Sequence, residues 1–148
     1  VATREPIYSA LWQIVSFDPR IAAVFATTSR STRHFEDVSA EEMPALFMLQ
    51  KRETWQRPGK GISPKRTLMA HFLCYQYNAA PNQNFNATGI NALMDVIDDV
   101  LTTVNNPGNT QTLGGLVEHV YIEGDVEIAD ALLQEKSIFV VPLTILIP

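Results

Sequence analysis

Ala45-Leu46-Phe47-Met48-Leu49-Gln50-Lys51-Arg52-Glu53-Thr54-Trp55 begins as an apolar run and ends in charged and polar residues. Leu46, Met48 and Gln50 fall on one side of an extended chain and Phe47, Leu49 and Lys51 on the other, the two-residue period of a strand. The next residues, Gln56-Arg57-Pro58-Gly59-Lys60-Gly61-Ile62-Ser63-Pro64, hold two prolines and two glycines and read as a loop. Arg66 to Asn78 then returns as a second strand, so residues 45–78 predict a long β-hairpin. Its tip is basic: six of the eleven basic residues, Lys51, Arg52, Arg57, Lys60, Lys65 and Arg66, lie in this segment, opposed there only by Glu53.

Towards the N-terminus, a helix is expected after Thr3, with Glu5 and Pro6 in its first turn and Ile7, Leu11, Ile14 and Val15 as its apolar stripe. Asp18-Pro19 punctuates the chain, Arg20 to Phe25 reads as a short second turn or helix, and Thr27-Thr28-Ser29 is a polar run. Arg30 to Phe35 predicts a short strand, followed by an acidic loop with Glu41 and Glu42. Towards the C-terminus, a polar linker from Ala79 to Phe85 leads to the clearest helix, capped by Thr88, with a stripe of Ile90, Leu93, Met94, Ile97, Leu101 and Val104. Asn105-Asn106-Pro107-Gly108 stops it. A strand through Leu116 to Ile122, a turn near Gly124, a polar connection from Ile128 to Lys136 and a terminal strand from Ile138 to Ile147 complete the chain. Pro142 removes a ladder donor, which predicts an edge position or a bulge, and an edge strand can pair with a neighbouring subunit. The fold class expected is α+β: one domain over residues 1–148, with a mixed, mainly antiparallel sheet and two principal helices packed on it.

A chain of 148 residues with 46% hydrophobic content suffices for one core. The single cysteine, Cys74, sits among apolar residues and reads as a packed thiol in a reducing compartment. Ile138 to Ile147 is interrupted by Pro142 and Thr144 and is too short to span a bilayer, so no membrane association is expected. Arg4, Glu5 and Pro6 argue against a signal peptide, and without secretion Asn86-Ala87-Thr88 reads as the start of a helix rather than a glycosylation site. The net charge of −5 argues against general nucleic-acid binding. From Asn86 onward there are nine acids and one base, Lys136, so a basic middle is followed by an acidic second half.

No catalytic, cofactor or metal site is expected. His34, His71 and His119 lie on three separate predicted strands, without metal-ligand spacing. No G-x-S-x-G elbow occurs, and Leu113-Gly114-Gly115-Leu116 lacks the surroundings of a phosphate loop. Asp95, Asp98 and Asp99 share a helix face, and Glu123, Asp125 and Glu127 alternate around a turn; such carboxylates could hold two Mg²⁺ ions for phosphodiester cleavage. A solvated helix face and a charged hairpin end is the preferred reading, because no lysine accompanies the acids to stabilise a leaving group. Trp12 reads as core, whereas Trp55, at the lip of the basic loop, has the character of an interface anchor.

Thr112-Leu113-Gly114-Gly115-Leu116-Val117, then Val120-Tyr121-Ile122-Glu123-Gly124-Asp125-Val126, then Phe139-Val140-Val141-Pro142-Leu143-Thr144-Ile145 resemble the C-terminal part of tail terminator (tail completion) proteins of long-tailed bacteriophages. The order of an N-terminal helix, Met43-Pro44-Ala45-Leu46 entering a strand, a loop and a long helix is similar as well, so the resemblance covers most of the chain. It implies a virion protein assembled in the host cytoplasm, forming a hexameric ring at the head-proximal end of the tail. Such a ring caps the tail tube, ends its growth and offers the attachment surface for a neck or connector protein, while DNA passes through without specific binding. The resemblance brings no catalytic residue and no cofactor. On this reading Trp55, Arg57, Lys60, Lys65 and Arg66 form an assembly interface with the next subunit or the tube, and Asp95, Asp98, Asp99, Glu123, Asp125 and Glu127 an acidic partner or channel surface. A neck or head-completion protein is the nearest alternative, and a metal-dependent phosphodiesterase the alternative from another class.

Overall fold

A computed structural model of the chain describes residues 4–62, 64–77, 85–102, 112–133 and 136–147. Helix α1 (Arg4–Ser16) has Glu5 in its first turn and buries Ile7, Tyr8, Leu11 and Val15. Half-buried Trp12 packs on the same core, its ring centroid 6.5 Å from that of Phe72. Asp18 starts helix α2 (Pro19–Val24) by accepting from the Arg20 backbone N–H at 2.9 Å, which satisfies one of the orphan donors of the first turn. Helix α3 (Phe85–Thr102) begins ahead of the expected cap at Thr88 and buries Ile90, Leu93, Ile97, Val100 and Leu101. The expected stop at Asn105–Gly108, Val104 and most of the linker before Phe85 lie outside the described residues.

Among the described residues six strands form one sheet: β1 (Thr27–Ser29), β2 (Ala45–Gln56), β3 (Lys65–Tyr77), β4 (His119–Ile122), β5 (Glu127–Leu133) and β6 (Lys136–Ile147). The order is β1-β2-β3-β6, with β4 and β5 sharing the far side of β6. Among these strand pairs β1 with β2 is parallel and the rest are antiparallel, so the fold is α+β with a mixed, mainly antiparallel sheet and the long hairpin β2–β3.

Several local expectations are corrected or refined, among them the strand expected from Leu116, which begins only at His119. Residues 30–35 are not a strand: Ser31 N–H turns back to Ser29 Oγ at 2.9 Å, and Arg30 and Arg33 reach out to Glu5 and Glu42. The parallel strand lies instead in the polar run at Thr27–Ser29. The acidic loop holds a 3-10 turn (Ala40–Glu42), closed by Ser39 N–H donating to the Glu42 carboxylate at 3.2 Å. The predicted polar connection from Ile128 to Lys136 contains β5, because β6 offers ladder partners that local composition does not reveal.

Pro142 lies not at an edge but in the central strand β6, opposite His71 of β3. Its carbonyl accepts from Glu123 N–H at 3.2 Å, so its backbone faces the β4/β5 side. On that side the pairing of β4 ends at Leu143 and that of β5 begins at Val140, so the missing N–H falls in the gap between two short strands. Gly124 closes the turn across this gap with φ +106°, a conformation that excludes most side chains.

The helices cover one sheet face, where Leu68, Phe72, Phe139, Leu143 and Ile145 pack with Ile7, Leu11, Ile21 and Ile97. At one end of the opposite face, Val38 and Met43 pack over Phe47 and Tyr75, whose hydroxyl donates to the Arg33 carbonyl at 2.9 Å. Elsewhere on that face Met69, His71 and Val140 are half-buried, whereas Thr144 is buried.

Candidate assembly interface

The hairpin does not keep strict alternation. One extra residue at Lys51 makes Gln50 pair with Ala70 and Arg52 with Met69. This bulge turns Glu53 and Trp55 onto the face that α1 covers, although unbroken alternation assigns them to the face of Phe47 and Leu49. Arg4 at the start of α1 then binds Glu53 through two guanidinium nitrogens, Nη2 at 2.9 Å from Oε2 and Nε on Oε1. The pair spans 49 positions of sequence, and local periodicity carries no signal for it. Arg4 holds the Glu53 carboxyl below its ordinary pKa, chiefly through these hydrogen bonds.

Trp55 closes the cluster. Its indole Nε1 donates to Glu53 Oε2 at 3.2 Å, and the Arg66 guanidinium carbon lies 5.3 Å from the ring centroid. The indole is nevertheless 55% exposed, and Ile62 in the adjoining loop is 56% exposed. Arg57, Lys60 and Lys65 are exposed around them, and no ion pair among the described residues engages these three. All five predicted tip residues thus lie at one end of the hairpin, with Arg66 over the Trp55 ring and Glu53 bonded to its indole nitrogen.

The acidic residues gather elsewhere. Asp95, Asp98 and Asp99 lie exposed on α3, with Asp99 close enough to raise the Arg20 pKa alongside the larger effect of Asp18. Glu123 and Asp125 occupy the turn after β4, and Glu127 opens β5. Glu123 accepts from the buried Thr144 hydroxyl at 3.0 Å. Between helix and turn runs a groove of about 320 Å³, lined by Met94, Ile97, Ile122, Val126 and Val141, with Asp95 and Asp98 on its rim. Both acidic groups were legible in the sequence, but not the apolar groove beside Asp95 and Asp98, which depends on how α3 packs against β4 and β6. It also passed over Phe17 (78% exposed), Val126 and Ile128, exposed apolar side chains that interrupt no pattern.

His34 lies in a loop, His71 on β3, and His119 on β4 stacks on Tyr121 with ring centroids 5.2 Å apart. Among the described residues no three His, Cys, Asp or Glu are placed to hold a metal ion. Cys74 is fully buried, and burial pushes its thiol well above the ordinary range, the opposite of what a nucleophile requires. No helix of the described residues is long and apolar enough to cross a membrane.

No family model matches the sequence, and no curated protein matches it. Among solved structures, the chain is similar to one from the virion of a native gene transfer agent particle. The TM-score is 0.54 at 10% sequence identity, over 93% of this chain and 91% of that one. At that identity the likeness is one of fold.

Proposed function

We propose that this chain is a non-catalytic structural protein of a phage-type particle, and that its copies form a ring, hexameric by the family resemblance, at the head-proximal end of the tail. There it ends growth of the tail tube and presents the surface on which a neck or connector protein docks. The observation that carries this reading is the fold shared along nearly the whole chain with a subunit of a gene transfer agent virion. Two features of the molecule support it. A closed ring needs one patch to meet a different patch on the next subunit, and the basic hairpin tip and the acidic α3–β4 region are two unlike patches on one chain. The sheet face around Met69, His71 and Val140 offers further half-buried surface for the tube or the neck.

DNA passes through such a ring without being held. With a net charge of −5, the subunit directs part of its acidic surplus to the channel, which keeps the duplex from sticking. The reading needs no cofactor. If purified protein cleaved DNA specifically on addition of Mg²⁺ or Mn²⁺, the non-catalytic part of the proposal would fall.

Electron microscopy of particles from a null mutant tests the assignment. Overlong tails are the expected outcome; normal tails beside unjoined heads would instead assign the protein to the neck or to head completion.

A further inference from the structure

We propose that Trp55 of one copy seats in the groove between α3 and β4 of a second copy of this chain, and that this contact is the repeating joint of the ring. The proposal rests on the ring reading above and supplies the two faces that meet.

The tip has the form of an interface anchor. An aromatic residue more than half exposed normally loses rotamer freedom on binding, yet here Glu53 and Arg66 already fix the indole, and Arg4 fixes Glu53. Energetic centres of interfaces are rich in Trp and Arg. The groove has the complementary form. Its floor is apolar, its rim carries Asp95 and Asp98, and Val126 stands 39% exposed at its mouth. A volume of about 320 Å³ suits one large side chain, not a helix. Charge agrees: residues 51–66 carry six basic groups and one acid, a net +5, whereas two carboxylates, Asp95 and Asp98, line the groove and no basic residue among those described does.

The two halves cannot meet within one molecule. β2 and β4 are three strand spacings apart in the sheet, about 14 Å, and Trp55 is held by Arg66 on its own hairpin. Contact is therefore between copies, tip to groove, and repeats with the same hand until it closes. Backbone pairing along the outer edge of β2 is the competing mode. β1 covers that edge only from Ala45 to Phe47, but the bulge at Lys51 and the charges of Lys51 and Arg52 blunt the rest.

Full-length Ile62→Cys and Val126→Cys variants, which keep Trp55 and place one thiol beside each half of the contact, are mixed under mild oxidation to test the joint, since Ile62 is exposed and the native Cys74 is buried and unreactive. A disulfide-linked dimer in the mixture, but in neither variant alone, is expected. Trp55→Ala should also weaken self-association by about 30-fold, with Trp55→Phe recovering most of it. If rings form while the mixture gives no cross-link and Trp55→Ala assembles like the parent, the joint is overturned and the ring reading stands. If the parent chain remains monomeric at every concentration, alone and with tube protein, the ring reading falls and the joint with it.

Discussion

Reversing one charge at the hairpin tip should weaken assembly without weakening the fold. Lys60 is exposed in the loop between β2 and β3 and makes no ion pair among the described residues, so Lys60→Glu should leave unfolding free energy within about 0.5 kcal/mol of the parent. At the joint the effect is larger. Two unit charges about 6 Å apart in a water-like medium interact by about 0.7 kcal/mol. Replacing attraction by repulsion therefore shifts each contact by about 1.4 kcal/mol, or roughly tenfold in Kd. Salt separates this from lost packing, because the screening length falls from about 30 Å at 0.01 M to about 3 Å at 1 M. Sedimentation velocity should show a tenfold loss for Lys60→Glu at the lower salt and near-parity at the higher. Asp95→Lys should show the same loss, and the two together should recover part of it. Equal loss at both salt concentrations, or no loss at either, would refute the electrostatic part of the reasoning.

Three further outcomes concern the fold. Phe72 is fully buried at the centre of β3, beneath Trp12, so Phe72→Ala should cost about 3–5 kcal/mol in urea unfolding. Gly124→Ala forces a side chain into φ +106° within 3.4 Å of the Pro142 ring and should cost roughly 1–3 kcal/mol by the same assay, with the loss centred on β4 and β5 in hydrogen exchange. Burial, and then the charge of Lys51, lowers the His71 pKa against a smaller opposing pull from Glu127. As pH drops through the ordinary imidazole range, the unfolded chain binds that proton more readily than the folded one, so stability should decline; His71→Gln should flatten the decline, and an unchanged profile would contradict it.

Elements whose apolar residues recur at a clean period were legible in the sequence. The stripe of α1, the alternation of β2 as far as Gln50, the long helix α3 and the apolar run of β6 all appear where periodicity placed them. Elements that borrow their stability from a neighbour were not. β1 is a polar triplet that pairs only because Ala45–Phe47 lies beside it, and β5 is a short segment completed by β6. Pro142 misled for a related reason: a rule about missing donors cannot see that two short strands leave a gap opposite it. At the candidate interface, residue types and charge gave the tip and the acidic surface. The bulge at Lys51 and the Arg4–Glu53 bond, which together aim Trp55, are long-range facts and were invisible.

Cryo-electron microscopy of the intact particle that contains this polypeptide would locate its copies and their contacts. A closed circle of copies is expected where the tail meets the head, each hairpin tip resting against the α3–β4 groove of the next. Copies found singly, or at any other location in the particle, would contradict it.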